Sequence, residues 1–93
     1  MKVQKFKMQR VYVVECDGYY KIGIAGDVNK RISQISAMNP NGVDIVCNSV
    51  PLLQAHRIEK YLHKTYRKNQ INGEWFKFDP EEQLEIINYV LSL

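Results

Sequence analysis

Ninety-three residues, 45% of them apolar and 25% charged, have the size and composition of one soluble globular domain. No apolar run approaches the about 20 residues that a membrane-spanning helix needs, and no low-complexity tract points to disorder. The net charge of +3 conceals an asymmetry, because residues 1–78 hold all 13 Lys and Arg against 6 Asp and Glu, whereas residues 79–93 hold 4 acids and no base.

The N-terminus (MKVQKFKMQ) is basic with no apolar stretch behind it, so a secretory signal is not expected and the protein reads as cytoplasmic. Arg10 to Cys16 (RVYVVEC) is β-branched and aromatic, which predicts a strand. Asp17-Gly18 suits a two-residue hairpin turn, and Tyr19 to Ala25 (YYKIGIA) is the returning strand. Asp27 is a natural N-cap. Val28, Ile32 and Ile35 then recur at helical spacing, predicting a helix over residues 28–38 that ends in the Asn39-Pro40-Asn41-Gly42 turn. Val43 to Val50 is a third strand. From Pro51 to Lys68, Leu52, Ala55, Ile58 and Leu62 mark one face of a long helix. Gly73 opens a loop, and Glu74 to Phe78 (EWFKF) is a short aromatic strand. Asp79-Pro80-Glu81-Glu82 starts a last helix, with Leu84, Ile87, Val90 and Leu91 as its buried stripe.

The order β-β-α-β-α-(β)-α predicts an α/β (α+β) fold: a small, three-stranded, mainly antiparallel sheet flanked by helices. One domain covers residues 1–93. Cys16 and Cys47 lie in strand-like runs and read as buried free thiols, with a disulfide the alternative.

If Asp17 and Gly18 form a two-residue turn, Cys16 pairs with Tyr19, Val14 with Lys21 and Tyr12 with Gly23. Opposed residues share a face, so Tyr12 and Lys21 point one way and Tyr20 the other. A turn one residue longer would reverse this. Arg31 and Glu59 each lie at the border of an apolar helical stripe, where a charged group is held rigidly yet reaches a polar cleft.

Tyr12 in V-Y-V-V, the stretch K-I-G-I-A-G-D-V-N-K-R from Lys21 to Arg31, and Glu59 in A-x-x-I-E-x-x-L together resemble the GIY-YIG nuclease superfamily. Glu59, His63 and the stretch G-E-W-F (Gly73 to Phe76) resemble its short phage-type branch, and the likeness spans residues 10–78, leaving the C-terminal helix 80–93 outside it. Lys21 stands where the family has its second tyrosine.

The resemblance implies an endonuclease that hydrolyses DNA phosphodiester bonds with one divalent ion, Mg²⁺ or Mn²⁺. It implies Glu59 as metal ligand, Arg31 on the phosphate, Tyr12 as the group that orients or deprotonates water or holds a phosphate oxygen, and His63 as a group that supports Glu59 or positions water. Lys21 on the face of Tyr12 would favour a phenolate or contact the phosphate. Each has a plainer reading: Glu59 paired with Lys60 or Lys64, Arg31 paired with Asp27, Tyr12 as core, Lys21 and His63 as surface groups.

His56, Glu59 and His63 share a helix face but lack the order of a zinc motif. Trp75, Phe76 and Phe78 either stack bases or fill the core. Lys30, Lys60, Lys64, Arg67 and Lys68 could follow a DNA backbone, though a solvated lysine surface accounts for them equally. Specificity would come from a partner protein or a homodimer. The alternatives to a nuclease are an eroded module of the same fold that binds nucleic acid or protein, and an unrelated small α/β protein.

Overall fold

A computed structural model describes residues 7–93. The basic N-terminal stretch lies mostly outside the described residues. The elements in chain order are β1 (Arg10–Cys16), β2 (Tyr19–Ala25), α1 (Val28–Ala37), β3 (Asp44–Asn48), α2 (Ala55–Thr65), a 3₁₀ turn (Arg67–Asn69), β4 (Gln70–Asn72), β5 (Trp75–Phe76) and α3 (Pro80–Leu91). The sheet is antiparallel in the order β3-β1-β2-β5-β4.

Asp17 and Gly18 both adopt positive φ, 53° and 85°, which closes a two-residue turn whose twist matches that of its strands. The register follows: Cys16 opposes Tyr19, Val14 opposes Lys21 and Tyr12 opposes Gly23. On the other edge of β1 the pairing with β3 slips between Val13 and Val14 at a bulge.

Central strand β1 is covered on both faces, which explains its unbroken apolar run. Val11 and Val13 point into one core with Ile22, Phe76 and residues of α2 and α3, among them Ala55, Leu62, Ile86 and Val90. Tyr12 and Val14 point into the other with Ala25 and, from α1, Val28 and Ile35; Trp75 packs against it. Tyr20 packs with the first core, its ring 5.7 Å from Phe78. The three aromatics of EWFKF therefore divide: Phe76 and Phe78 are core, while Trp75 lies on the face of Tyr12. Cys16 and Cys47 are free thiols, and burial raises Cys47 to about 11.

Three expectations require correction. The sheet has five strands rather than three, because β4 and β5 form a second hairpin through Gly73-Glu74 that adds to the edge of β2. Helix α2 begins at Ala55 rather than Pro51, because Leu52 exchanges two backbone hydrogen bonds with Gln9, and it ends at Thr65. The buried stripe of α3 contains Ile86 and Val90, with Ile87 beside them, whereas Leu84 and Leu91 are exposed. Asp79 and Glu82 form the expected reciprocal capping box. Among the described residues no helix is long and apolar enough to cross a membrane.

Candidate functional site

Tyr12 stands opposite Gly23, and its ring lies directly over that backbone. A Cβ at position 23 would sit 2.4 Å from the Tyr12 hydroxyl oxygen and 2.6 Å from Cζ. Glycine here is a matter of room, since its φ is ordinary. Tyr12 is fully buried, and its hydroxyl makes no hydrogen bond among the described residues. Burial raises its pKa above the ordinary tyrosine value, and the Glu74 carboxylate pushes the same way. The Arg31 guanidinium opposes both, by its charge and by its approach to the hydroxyl at a geometry short of a full hydrogen bond, and Glu59 adds a small further rise. One hydroxyl from β1 thus senses α1, α2 and the β4–β5 turn.

Glu59 is half-buried on α2, at the border of the stripe made by Ala55, Ile58 and Leu62. Burial raises its carboxyl above the usual range, and Glu74 adds to the rise; His63, His56 and Lys21 partly offset it. His63, one turn later, bonds through Nε2 to the Ile22 carbonyl at 2.9 Å. A carbonyl only accepts, so Nε2 carries the proton, and in the neutral ring Nδ1 is the acceptor. Its ring meets the edge of Phe76.

Lys21 shares the face of Tyr12, as the parity of the hairpin requires. Its ammonium lies 2.7 Å from a Glu74 oxygen and 5.7 Å from the centre of the Trp75 ring. Lys21 is paired with Glu74, and the cation that lowers the Tyr12 phenol is Arg31. Burial and Glu74 together favour the neutral phenol.

Arg31 lies on exposed α1, one turn in from Asp27, which caps the helix by accepting from the Lys30 backbone at 3.0 Å. Arg31 and Lys30 border a hollow of about 210 Å³ with Asp27 and Gln34. Neither plainer pairing occurs among the described residues: Arg31 forms no salt bridge with Asp27, nor Glu59 with Lys60 or Lys64.

Arg31 and Glu59 thus lie within electrostatic reach of Tyr12, and His63 and Lys21 within that of Glu59, which makes these five residues the candidate locus. Lys60, Lys64, Arg67 and Lys68 do not join it; they are exposed, and the charges acting most strongly on Glu59 come from other residues. His56 is exposed at the margin.

Glu74 is the residue that sequence reasoning missed. It touches Lys21 and raises both Tyr12 and Glu59. The stretch G-E-W-F contains it, but only the pairing of β5 with β2 at Lys21 and Trp75 brings it to the site.

Comparison with curated proteins and with solved structures gives no match. A family model, the T5orf172 domain, matches residues 9–91. That span includes every element of the fold and all six residues of the locus, and the chain belongs to the T5orf172 domain family.

Proposed function

We propose that the protein is a GIY-YIG-like, divalent-metal-dependent endonuclease that hydrolyses phosphodiester bonds in DNA. What supports this reading is that a guanidinium and a carboxylate, 19 and 47 residues from Tyr12 in sequence, lie within electrostatic reach of its buried hydroxyl, which makes no hydrogen bond of ordinary geometry among the described residues. Membership of the T5orf172 family supports a nucleic-acid-related role.

Whether the residues suit a metal can be judged from the donor set. Among the described residues no group of three or more His, Cys, Asp and Glu could enclose an ion. Mg²⁺ does not need such a cage: one or two carboxylates suffice when waters and phosphate oxygens complete its shell. Glu59, half-buried and with Glu74 as its acidic neighbour, is the carboxylate that would hold the ion. An ion held there would neutralise charge on the phosphate and the leaving oxygen.

The chain's own groups then divide the work. Arg31 donates forked hydrogen bonds to phosphate oxygens and stabilises the charge that grows on them as water adds to phosphorus. Tyr12, neutral and buried, donates its proton in a hydrogen bond and orients the water or a phosphate oxygen. The water's proton must pass to another acceptor, and Nδ1 of His63 is a candidate. As the bond from phosphorus to the leaving oxygen breaks, that oxygen takes up a proton from solvent. Lys21, released from Glu74, contacts the phosphate.

The ion pair between Lys21 and Glu74 favours one other reading, an eroded module that binds nucleic acid or protein without cutting. Supercoiled plasmid and single-stranded DNA incubated with Mg²⁺ or Mn²⁺ separate the two. Cleavage by wild type that is lost in Glu59→Ala and Arg31→Ala supports the nuclease. Salt-sensitive binding without cleavage supports the module, and equal cleavage by all three proteins overturns the site.

A further inference from the structure

Beyond the Lys21–Glu74 ion pair, the face that carries Tyr12 continues across Trp75 toward the second hairpin. An open hollow of about 300 Å³ lies there, lined by Tyr19, Ile71 and Trp75 together with Asp17, Asn39 and Asn72. That volume is at the lower end for small-molecule sites. Tyr19 and Ile71 are 41% and 58% exposed, so two large apolar residues that folding leaves uncovered meet in one depression. Polar edges surround them. The Asn72 amide makes no hydrogen bond among the described residues, whereas Asn39 donates to the Ile35 carbonyl at 2.7 Å and Asp17 accepts from Asn41 at 3.2 Å.

We propose that this hollow receives an unpaired nucleobase of the DNA strand whose neighbouring phosphate meets Lys21 and Arg31. The proposal rests on the reading of that locus as a phosphate site. Aromatic and apolar surface with amide and carboxylate groups beside it matches a base, which has a π-face for stacking and a donor–acceptor edge. Asp17 repels phosphate but accepts from an exocyclic amine, so the base enters the hollow and the phosphate stays outside. Trp75 fixes the relation between them: it lines the hollow and lies 5.7 Å from the Lys21 ammonium. A paired base cannot turn its face and edge into such a hollow. The ligand is therefore a single strand or a locally opened duplex.

The chain has one tryptophan, Trp75, and it lines this hollow, so its emission responds to an occupant there, with polyphosphate as the control for phosphate at the neighbouring Lys21. The full chain is titrated in chelator, where nothing is cut, with a single-stranded oligonucleotide, the duplex of the same sequence and inorganic polyphosphate. Binding is followed in parallel by anisotropy of a labelled strand. The single strand is expected to quench and shift the emission, while duplex and polyphosphate leave it unchanged. Tyr19→Ala weakens single-strand binding about five- to tenfold, the scale of one lost base–aromatic stack, and Tyr19→Phe restores it. Equal quenching by duplex or polyphosphate overturns the proposal. So does single-strand binding with unchanged emission, or Tyr19→Ala binding as tightly as wild type. Plasmid cleavage distinguishes the two readings. Arg31-dependent cleavage with an unresponsive tryptophan removes the hollow and leaves the nuclease; quenching without cleavage removes the nuclease and leaves the hollow.

Discussion

Replacing Gly23 by alanine tests the geometry of the site at a residue that carries no chemistry. The added methyl would lie 2.4 Å from the Tyr12 hydroxyl oxygen, 2.6 Å from Cζ and 3.0 Å from Cε2, against the 3.4 Å at which ordinary contact begins. Something must move by about 1 Å, and the tyrosine is fully buried rather than a free surface group. Overpacking of this kind costs about 1–3 kcal/mol. The loss of glycine's freedom in the unfolded chain returns about 0.4–1 kcal/mol. A net loss of about 1–2 kcal/mol lowers the melting temperature by roughly 5–15 °C in a domain of this size. A shift of about 1 Å in a positioned group costs on the order of 100-fold in rate. The variant should therefore fold, melt early and cut plasmid about 100-fold more slowly.

Gly26→Ala is the control, since the nearest atom to its added methyl is a backbone oxygen 4.0 Å away, and its stability should stay within about 0.5 kcal/mol of wild type. Thermal denaturation followed by circular dichroism and a plasmid-nicking time course provide the two readouts. A Gly23→Ala protein with the melting temperature and rate of wild type would refute the close approach of ring and strand. Lowered stability with full activity would remove the Tyr12 hydroxyl from the site and leave the packing intact.

Tyr12→Phe removes a buried hydroxyl that makes no hydrogen bond among the described residues, so the variant should gain up to about 1 kcal/mol in stability while cleavage falls about 100-fold or more. For Glu59 the sign follows from its raised pKa: the folded state binds the proton more tightly than the unfolded one, so the favourable contribution is complete below the unfolded pKa and lost as pH rises through the folded pKa. Glu59→Gln should therefore stabilise the protein at neutral pH, by less than about 1 kcal/mol for a partly exposed group and visible as a higher melting temperature, and the gain should shrink on acidification. Mg²⁺ at about 100 times its dissociation constant should stabilise wild type by about 2.7 kcal/mol and leave Glu59→Gln unmoved in the same melts. Asp79→Ala dismantles the capping box of α3 and should cost about 0.5–2 kcal/mol in urea denaturation without altering the nicking rate of the folded protein.

The parts legible in the sequence are those set by neighbours along the chain. Asp17-Gly18 specifies a two-residue turn, and that turn alone sets the register that puts Tyr12 over Gly23 and sends Tyr20 to the opposite core. Asp79 and Glu82 cap a helix through residues three apart. The parts not legible depend on distant pairing. Gln70–Asn72 is three exposed residues with no strand signal, and it is a strand because β5 provides the partner edge. Helix α2 loses its first turn to an exchange of hydrogen bonds between Leu52 and Gln9, 43 positions earlier. Helix α3 is apolar at so many positions that two phases compete, and contact with β3 and β1 selects Ile86 and Val90 over Leu84 and Leu91. Glu74 needed the same long-range information.

The distribution of unfavourable terms is itself informative. Ser49, fully buried, receives the Val11 amide and donates to the Val50 carbonyl, and Tyr66 donates to Glu85; these polar groups serve the fold. Asn69 leaves its carbonyl oxygen unmatched, but its amide nitrogen contacts the Lys77 carbonyl and the Glu82 carboxylate, so it remains a structural tie. Tyr12 differs, for among the described residues its hydroxyl makes no hydrogen bond of ordinary geometry, only the approach of Arg31, and phenylalanine would fill the same space. Close by, Glu59 and Glu74 repel one another while Lys21 answers only Glu74 directly. A chain selected for stability alone removes such conflicts with single substitutions. Their concentration near β1, α1, α2 and the second hairpin is in keeping with the proposed site, where a cation and a phosphate would be held. The cation would relieve the two carboxylates, and a phosphate oxygen would accept from the phenol.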